Sequence, residues 1–146
     1  MKIEYRKGDL LQTDIQHIVH GCNAKGVMGS GVAKAIRDKY PQAYTDYNDC
    51  YNSAGLELGT IVVSVQDDGT VIHNAITQKD YGRDSSKVYV SYWAIAEAFR
   101  KLDSWNISEI ALPMLGAGLA NGDWNVISAI IENTLTKTQP IVYTLE

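Results

Sequence analysis

The sequence predicts a three-layer α/β/α sandwich, in which a mixed, mostly parallel sheet of about six strands is covered by helices on both faces. Short apolar segments with strand character alternate along the chain with segments of helical periodicity. Strands that are joined through helices pair in parallel and need cover on both faces. The chain has 146 residues, without a linker-like stretch or an internal repeat, so residues 1–146 are predicted to form a single domain.

Six segments rich in β-branched and apolar residues are predicted strands. They are Lys2–Arg6, Ile15–His20, Thr60–Val65, Val71–Ile76, Ile107–Leu112 and Ile141–Leu145. The turn at Asp67-Asp68-Gly69 separates the third segment from the fourth. Because Asp-Gly supplies the positive-φ residue of a tight turn, these two strands are expected to form a hairpin.

Four segments are predicted helices. The first begins at Gly31 or Val32 and ends before Pro41, and the second begins at Pro41 and ends near Gly55. The last two are indicated by apolar positions at intervals of three and four residues. These positions are Val88, Tyr92, Ile95, Phe99 and Leu102, and then Ile127, Ile130, Ile131, Thr134 and Leu135.

Composition excludes several classes of function. The net charge is −4 without a run of lysines or arginines, so non-specific nucleic-acid binding is not expected and a small ligand is favoured. The longest apolar runs, such as Ile61–Val65, are far shorter than the ~20 residues of a membrane span, and the N-terminus has no signal-peptide core. We therefore expect a soluble, cytoplasmic monomer that does not bind membranes.

Cys22 and Cys50 cannot form a disulfide framework, and neither has a second cysteine at metal-ligand spacing. They are predicted to be reduced thiols. Since the histidines and carboxylates also lack metal-ligand spacing, neither a metal nor a cofactor is expected.

The segment GVMGSGVAKAIRDKYP, Gly26 to Pro41, is a glycine-rich turn followed by a helix. It comes directly after a predicted strand, and in parallel sheets ligands bind at the carboxyl ends of strands. Backbone amides at a helix N-terminus that no side chain shields form a site for an anion such as a diphosphate. Alternatively, the glycines could serve only to let the helix and the strand pack closely.

A second segment, LPMLGAGLANGDW at Leu112 to Trp124, repeats the order of strand, glycine turn and helix. Two such turns at the carboxyl ends of two strands could enclose a diphosphate from both sides. The pair is stronger evidence for an anion site than either turn alone.

The chain resembles the macrodomains, a family that binds ADP-ribose. The matching segments are KGDL at Lys7 to Leu10, HGCNAKGVMGSGVAKAI at His20 to Ile36, KYP at Lys39 to Pro41, LPMLGAGLANGDW at Leu112 to Trp124 and VYTL at Val142 to Leu145. They follow the family's order from end to end. The sequence is most similar to the branch that contains the ADP-ribose 1″-phosphate phosphatases and the small ADP-ribosyl-hydrolases.

The resemblance implies roles for individual residues. Asp9 would accept a hydrogen bond from the adenine amino group, Leu10 would present its amide to the ring, and Asn23 would bind the distal ribose. Tyr143 would pack beside the adenosine, although a tyrosine on a last strand is as often part of the core. The residues that would surround the diphosphate are Gly29, Ser30, Gly31 and Val32 on one side and Leu115, Gly116, Ala117, Gly118 and Leu119 on the other.

Two departures from the family pattern bear on the activity. The hydrolases carry a lysine directly after the Ile-Thr that ends the middle hairpin strand, whereas this chain has Gln78 there and Lys79 one position later. Because strand side chains alternate between faces, that shift should point Lys79 away from the site. The glutamate-specific hydrolases also carry an aspartate at the position of Ala120.

The phosphatase branch carries His-x-Cys-Asn, which His20-Gly21-Cys22-Asn23 matches. His20 is therefore the expected acid/base group, with Asn23 positioning the sugar, and a structural histidine at a strand end is the alternative. Asp123 is a second catalytic candidate, as a base or a water-orienting group. It could instead cap the helix that follows it.

The sequence thus favours hydrolysis of the terminal phosphate of ADP-ribose 1″-phosphate, with ADP-ribose or this derivative as the small-molecule ligand. Two alternatives stay open. One is an ADP-ribosyl-hydrolase acting on protein or nucleic acid, which would use Lys79 through an unusual loop path. The other is a binding module without turnover, because backbone amides can hold the ligand without a catalytic side chain.

Overall fold

The computed structural model describes residues 1–145, which contain one six-stranded sheet and four α-helices. The strands are β1 (Glu4–Lys7), β2 (His17–Asn23), β3 (Ile61–Val65), β4 (Val71–Gln78), β5 (Glu109–Leu112) and β6 (Gln139–Thr144). The helices are α1 (Gly31–Lys39), α2 (Pro41–Ser53), α3 (Tyr92–Ser104) and α4 (Trp124–Thr134). The predicted domain boundary at residue 146 lies outside the described residues.

The sheet has the strand order β1-β6-β5-β2-β4-β3. Every neighbouring pair is parallel except β3 and β4, which form the hairpin expected from Asp68-Gly69. The prediction of a mixed, mostly parallel sheet is confirmed. As a result, the carboxyl ends of β1, β6, β5, β2 and β4 all lie at the same edge of the sheet.

The helices form a layer on each face of the sheet. Buried side chains of α1 and α2, including Ile36 and Ala43, pack with Ile18 of β2 on one face. Those of α3 and α4, including Phe99 and Ile127, pack with Val19 of β2 on the other face. Neighbouring residues of β2 therefore supply opposite layers, as the two-residue period of a strand requires. No helix within residues 1–145 is long and apolar enough to cross a membrane.

β2 continues three residues beyond the predicted end at His20. Its final residue, Asn23, lies opposite Gln78 of β4, after an irregularity in the register between Cys22 and Asn23. Gly21 lies inside this strand. A larger residue does not fit there, because its Cβ would come within 2.8 Å of Thr77 Oγ1. Pairing with β4 therefore overrides the turn preference of this glycine, and the first glycine-rich segment begins three residues after the strand ends.

α3 begins at Tyr92 and not at Val88, where the apolar spacing predicted its start. Ser91 is the N-cap residue, and its hydroxyl accepts a hydrogen bond from the Ala94 amide at 3.2 Å. Val88 lies in the preceding loop and is 57% exposed. A local cap thus sets the beginning of the helix, although Val88 fits the helical period.

Some strand ends also differ from the prediction. β1 and β5 begin two residues later than expected, and before each strand a backbone group bonds to a side chain. The Ile3 amide donates to Glu132 at 2.8 Å, and the Ile107 carbonyl accepts from the Thr138 hydroxyl at 2.7 Å.

Two histidines, a half-buried His17 and a buried His73, form a pair near the amino ends of β2 and β4. His17 Nδ1 lies 2.9 Å from His73 Nε2, and the His73 ring also packs against Trp105. His73 is 2% exposed, and burial, together with any positive charge on His17, lowers the pKa of His73 to about 4. Burial likewise lowers the pKa of His17.

We expect the free energy of unfolding to decrease as the pH is lowered, because His73 is neutral in the fold. In the unfolded chain it takes up a proton near pH 6.5, so its contribution is complete above that pH and is lost as the pH falls toward 4. Between pH 8 and pH 5 this histidine alone should lower the free energy of unfolding by about 2 kcal/mol.

Urea denaturation at several pH values measures this decrease. The variant His73→Leu should show a shallower dependence on pH than the parent protein. An equally steep dependence in both proteins would contradict the assignment to His73.

Candidate ligand-binding site

A cleft of about 470 Å³ opens at the carboxyl edge of the sheet. Three segments line it, namely the end of β2 with the loop to α1, the end of β4 with the loop that follows, and the loop after β5. A larger and shallower depression, of about 600 Å³, lies between the outer surfaces of α3 and α4. It contains neither glycine-rich segment and no charged side chain, so we take the cleft as the candidate site.

The first glycine-rich loop is held by the side chain of Asn23. Its Oδ1 accepts hydrogen bonds from the amides of Lys25 at 3.0 Å and Val27 at 3.3 Å, and its Nδ2 donates to the Val27 carbonyl at 2.8 Å. The Tyr47 hydroxyl, from α2, lies 2.6 Å from the Asn23 carbonyl and 2.8 Å from Oδ1. Asn23 lines the cleft, but most of its hydrogen-bonding capacity maintains the loop. The second hydrogen of Nδ2 is not used by these bonds.

The loop leads to the N-terminus of α1, which faces the cleft. Ser30 is the N-cap residue but makes no side-chain cap bond, so the first amides of α1 are not shielded by it. Gly31 has a φ of +61°, a conformation that a residue with a side chain rarely adopts. Helix N-termini of this kind bind anions. The structure brings all four residues expected here, Gly29, Ser30, Gly31 and Val32, to the cleft.

The second glycine-rich loop closes on itself through a bond from the Gly122 amide to the Gly116 carbonyl at 2.8 Å. A Cβ at Gly122 would come within 2.6 Å of that oxygen, so only glycine fits. A Cβ at Gly31 would lie 3.5 Å from Leu119 Cδ1, which shows that the two loops face each other across the cleft. The expected residues that line this side are Leu115, Gly116, Gly118 and Leu119, whereas Ala117 does not line the cleft.

The residues expected to hold an adenosine do not line the cleft but lie at one end of the same sheet edge. The Asp9 carboxylate accepts a hydrogen bond from the Leu11 amide at 3.0 Å and caps a 3₁₀ turn, Leu10–Gln12, in which Leu10 is buried. The Tyr143 hydroxyl lies 2.9 Å from Thr13 Oγ1. β1 and β6 are neighbouring strands, so Asp9 and Tyr143 are close to each other in the fold.

His20 borders the cleft, yet its side chain is buried under α2 and is 1% exposed. Its Nε2 lies 2.6 Å from Asn74 Oδ1. Asn74 Nδ2 donates to the carbonyls of Ala43 and Val62, which orients Oδ1 as the acceptor of the His20 Nε2 hydrogen. Burial lowers the pKa of His20 to about 4, although the bond to Asn74 partly opposes this.

The His20 imidazole is therefore neutral over most of the pH range, and its Nε2 hydrogen is directed at Asn74. The structure thus gives His20 the structural hydrogen bond noted as the alternative, and its acid/base role stays a prediction. The neighbouring Cys22 Sγ, 3.5 Å from His20 Nε2, is also buried, and burial raises the pKa of this thiol well above its ordinary value.

Asp123 caps α4 in the structure, and the catalytic role expected of it stays a prediction. Its carboxylate accepts a hydrogen bond from the Asn125 amide at 2.9 Å, and it does not line the cleft. The alternative noted from the sequence, a helix cap, is the arrangement observed.

Sequence reasoning missed the segment between β4 and α3 as part of the site. Gln78, Tyr81, Gly82 and Arg83 line the cleft, whereas Lys79 is exposed and does not. Gln78 Nε2 donates to the Asp80 carbonyl at 2.7 Å, and this bond does not use the Oε1 of Gln78. The available signal was a glycine between an aromatic and a cationic residue, in the loop that follows the carboxyl end of a strand.

Among residues 1–145, no three histidine, cysteine, aspartate or glutamate side chains converge as metal ligands would. The cleft instead offers backbone amides, neutral amide side chains and one guanidinium. Such a site can hold an elongated anionic ligand.

Comparison with known proteins gives a consistent result. The Macro domain model matches residues 19–131. A DNA ADP-ribosyl glycohydrolase of Mycobacterium tuberculosis is 33% identical over 125 residues, which cover 84% of this chain and 35% of that protein. The ADP-ribose 1″-phosphate phosphatase of Candida albicans is 26% identical over 136 residues, which cover 84% of this chain and 86% of that protein.

A similar solved structure is the macrodomain of Mycobacterium tuberculosis DarG. Its TM-score is 0.82 at 25% identity, and the match covers 97% of this chain and 96% of that one. The chain spans about a third of the length of the mycobacterial glycohydrolase.

The geometry predicts that the Tyr47 hydroxyl maintains the first glycine-rich loop. In Tyr47→Phe the Asn23 carbonyl and Oδ1 lose this donor, so the free energy of unfolding should fall by about 1 kcal/mol. The Lys25 and Val27 amides should exchange with deuterium faster than in the parent protein. Tyr44→Phe, on the same helix, is the matched control. Equal exchange at these two amides in both variants would refute the role of Tyr47.

Proposed function

Because the chain belongs to the Macro domain family, we propose that its cleft binds ADP-ribose and that the protein hydrolyses ADP-ribose 1″-phosphate to ADP-ribose and phosphate. The observation that carries this proposal is the pair of glycine-rich loops that face each other at the carboxyl ends of β2 and β5. Amides on both sides can receive a diphosphate without any cationic side chain between them.

The strand order gives the ligand a direction along the sheet edge. Asp9 and Tyr143 lie beside β1 and β6 at one end, and Gln78 lies at the end of β4 on the other side. With the diphosphate between β5 and β2, the adenosine extends toward Asp9 and the distal ribose toward Gln78. Asp9 then accepts from the adenine amino group and the Leu10 amide faces the ring, while the unused Nδ2 hydrogen of Asn23 faces the ribose.

Hydrolysis of the phosphate requires one water molecule. Its oxygen bonds to phosphorus, the bond from phosphorus to the anomeric oxygen breaks, and the anomeric oxygen gains a proton. Phosphoryl transfer depends mainly on positioning and on stabilisation of charge. The substrate phosphate has its own proton with a pKa near 6, so a buried histidine is not needed as the proton donor. Gln78 Oε1 is a neutral acceptor that can orient the attacking water.

A second candidate is removal of ADP-ribose from DNA, which the 33% identity to the mycobacterial glycohydrolase favours. The β4 end argues against it. Gln78 takes the position at which the resemblance requires a lysine, and Lys79 does not line the cleft. The third candidate, binding without turnover, is compatible with the amide-rich cleft.

One experiment separates the three functions. The protein is incubated with ADP-ribose 1″-phosphate, with DNA-linked ADP-ribose and with glutamate-linked ADP-ribose, and release of phosphate and of ADP-ribose is measured beside a calorimetric titration with ADP-ribose. We expect binding of ADP-ribose and release of phosphate from the first substrate only. Release of ADP-ribose from DNA or from glutamate would favour a hydrolase of that substrate, and binding without any release would favour a binding module.

Gly118 provides a direct test of the binding site. A Cβ at this position meets no atom within 4 Å and the backbone is not left-handed, so Gly118→Val should fold normally. Its side chain would occupy the space proposed for the diphosphate, and the affinity for ADP-ribose should fall about ten-fold or more.

Ala54→Val is the control, because Ala54 is exposed at the end of α2, has a φ of −109° and does not line the cleft. Calorimetric titration gives the affinities. Unchanged affinity in Gly118→Val, with the fold confirmed by circular dichroism, would show that the ligand does not pass this loop.

A further inference from the structure

The loop between β4 and α3, residues 79–91, brings one charged side chain to the cleft. Tyr81, Gly82 and Arg83 of this loop line the cleft. Arg83 is the only residue with a permanently charged side chain among those that line it, and it makes no ion pair with any residue of the described chain. Its guanidinium is therefore available to a ligand.

The backbone on both sides of Arg83 is held in place. Before it, Gly82 packs against Tyr89 so closely that a Cβ at Gly82 would overlap the Tyr89 hydroxyl. After it, the Asp84 amide donates to the same hydroxyl at 3.2 Å. An exposed loop that is fixed around a single residue presents that residue in a defined direction.

A second contact joins this loop to the second glycine-rich loop. Asn121 Nδ2 donates to the carbonyl of Asp84 at 3.2 Å and to that of Lys87 at 2.8 Å. The Tyr89 amide also donates to the Ala120 carbonyl at 2.8 Å. The position of Arg83 is thus coupled to the loop that closes one side of the cleft.

Arg83 follows the end of β4, whereas Asp9 and Tyr143 lie beside β1 and β6 across the sheet edge. A ligand whose adenosine lies at the β1 end therefore presents its far end to Arg83. At that end the substrate class is set by the group on the anomeric carbon of the distal ribose. An arginine donates paired hydrogen bonds to phosphate oxygens, and a neutral substituent gains much less from it.

We propose that Arg83 is a specificity-determining residue that selects ligands carrying a phosphate on the distal ribose, and that Tyr89 and Asn121 are the positioning residues that hold it. This inference rests on the proposed binding of ADP-ribose in the cleft. It extends the proposed function by assigning the recognition of the terminal group to a residue outside both glycine-rich loops.

The test compares two ligands, ADP-ribose and its non-hydrolysable 1″-methylphosphonate analogue, by calorimetric titration. In Arg83→Met the affinity for the phosphonate should fall about ten- to hundred-fold, the range of a hydrogen bond between charged groups. The affinity for ADP-ribose should change less than about two-fold. Lys87→Met is the matched control, because it removes a cation from the same loop that does not line the cleft, and both of its affinities should equal those of the parent.

The outcomes separate this inference from the proposed function. Equal losses for both ligands in Arg83→Met would place Arg83 on the diphosphate and overturn the inference, as would no loss for either ligand. A parent protein that binds neither ligand would overturn both proposals. A parent that binds the phosphonate through Arg83 but releases no phosphate from ADP-ribose 1″-phosphate would leave the inference standing and refute the proposed activity.

Two conservative variants test the positioning. Tyr89→Phe keeps the ring against Gly82 and removes the hydroxyl, and Asn121→Gly removes the amide but suits the left-handed backbone at φ 60°. Each should weaken the phosphonate several-fold while leaving ADP-ribose nearly unchanged. A general loss of stability would weaken both ligands alike and would contradict the positioning role. A parallel titration uses a single-stranded oligonucleotide. If Arg83→Met lost binding of the oligonucleotide but bound the phosphonate as the parent does, the selection of a terminal phosphate would be overturned.

Discussion

The parallel pairing of β2 with β4 is the interaction on which the rest of the site depends. It runs from His17 opposite Val71 to Asn23 opposite Gln78, so both strands end at the same level. The first glycine-rich loop and Gln78 meet at the cleft because of this register. A shift of one residue would turn the side chains of β2 to the opposite helical layers and would remove Asn23 from the loop that it holds.

Several features of the site could be predicted from the sequence because they depend on local signals. The glycine-rich segments carry strong local signals, because a positive φ at Gly31 and the close approach at Gly122 each require glycine. The mostly parallel sheet and the two helical layers follow from the alternation of strands with amphipathic helices. These features depend on short stretches of chain, and a single sequence contains enough information to identify them.

Features that depend on capping or on tertiary contacts were harder to predict. His20 belongs to a motif, but its side chain shares a face of β2 with Ile18, which packs beneath the helices, so burial decides its chemistry. Val88 was assigned to α3 from its helical spacing, which the cap at Ser91 overrides, whereas Asp123 caps α4 as the alternative from the sequence allowed. Arg83 was missed because the loop after β4 has no periodicity. The loop is held by contacts with Tyr89 and Asn121 that no short sequence pattern indicates.

The hydrogen bonds of Asn121 also affect how fast this residue deamidates in stored protein. In an Asn-Gly pair, the glycine amide can attack the asparagine side chain, which forms a succinimide and then an isoaspartate in the backbone. Here the Asn121 amide is held by two carbonyls, and the Gly122 nitrogen donates to the Gly116 carbonyl. The attack requires both groups to be released, so the contact between the two loops slows deamidation at this position. Peptide mapping of stored protein measures the isoaspartate that accumulates at this position. Its rate of accumulation over weeks therefore reports how often the loops separate, on a timescale that binding measurements do not reach.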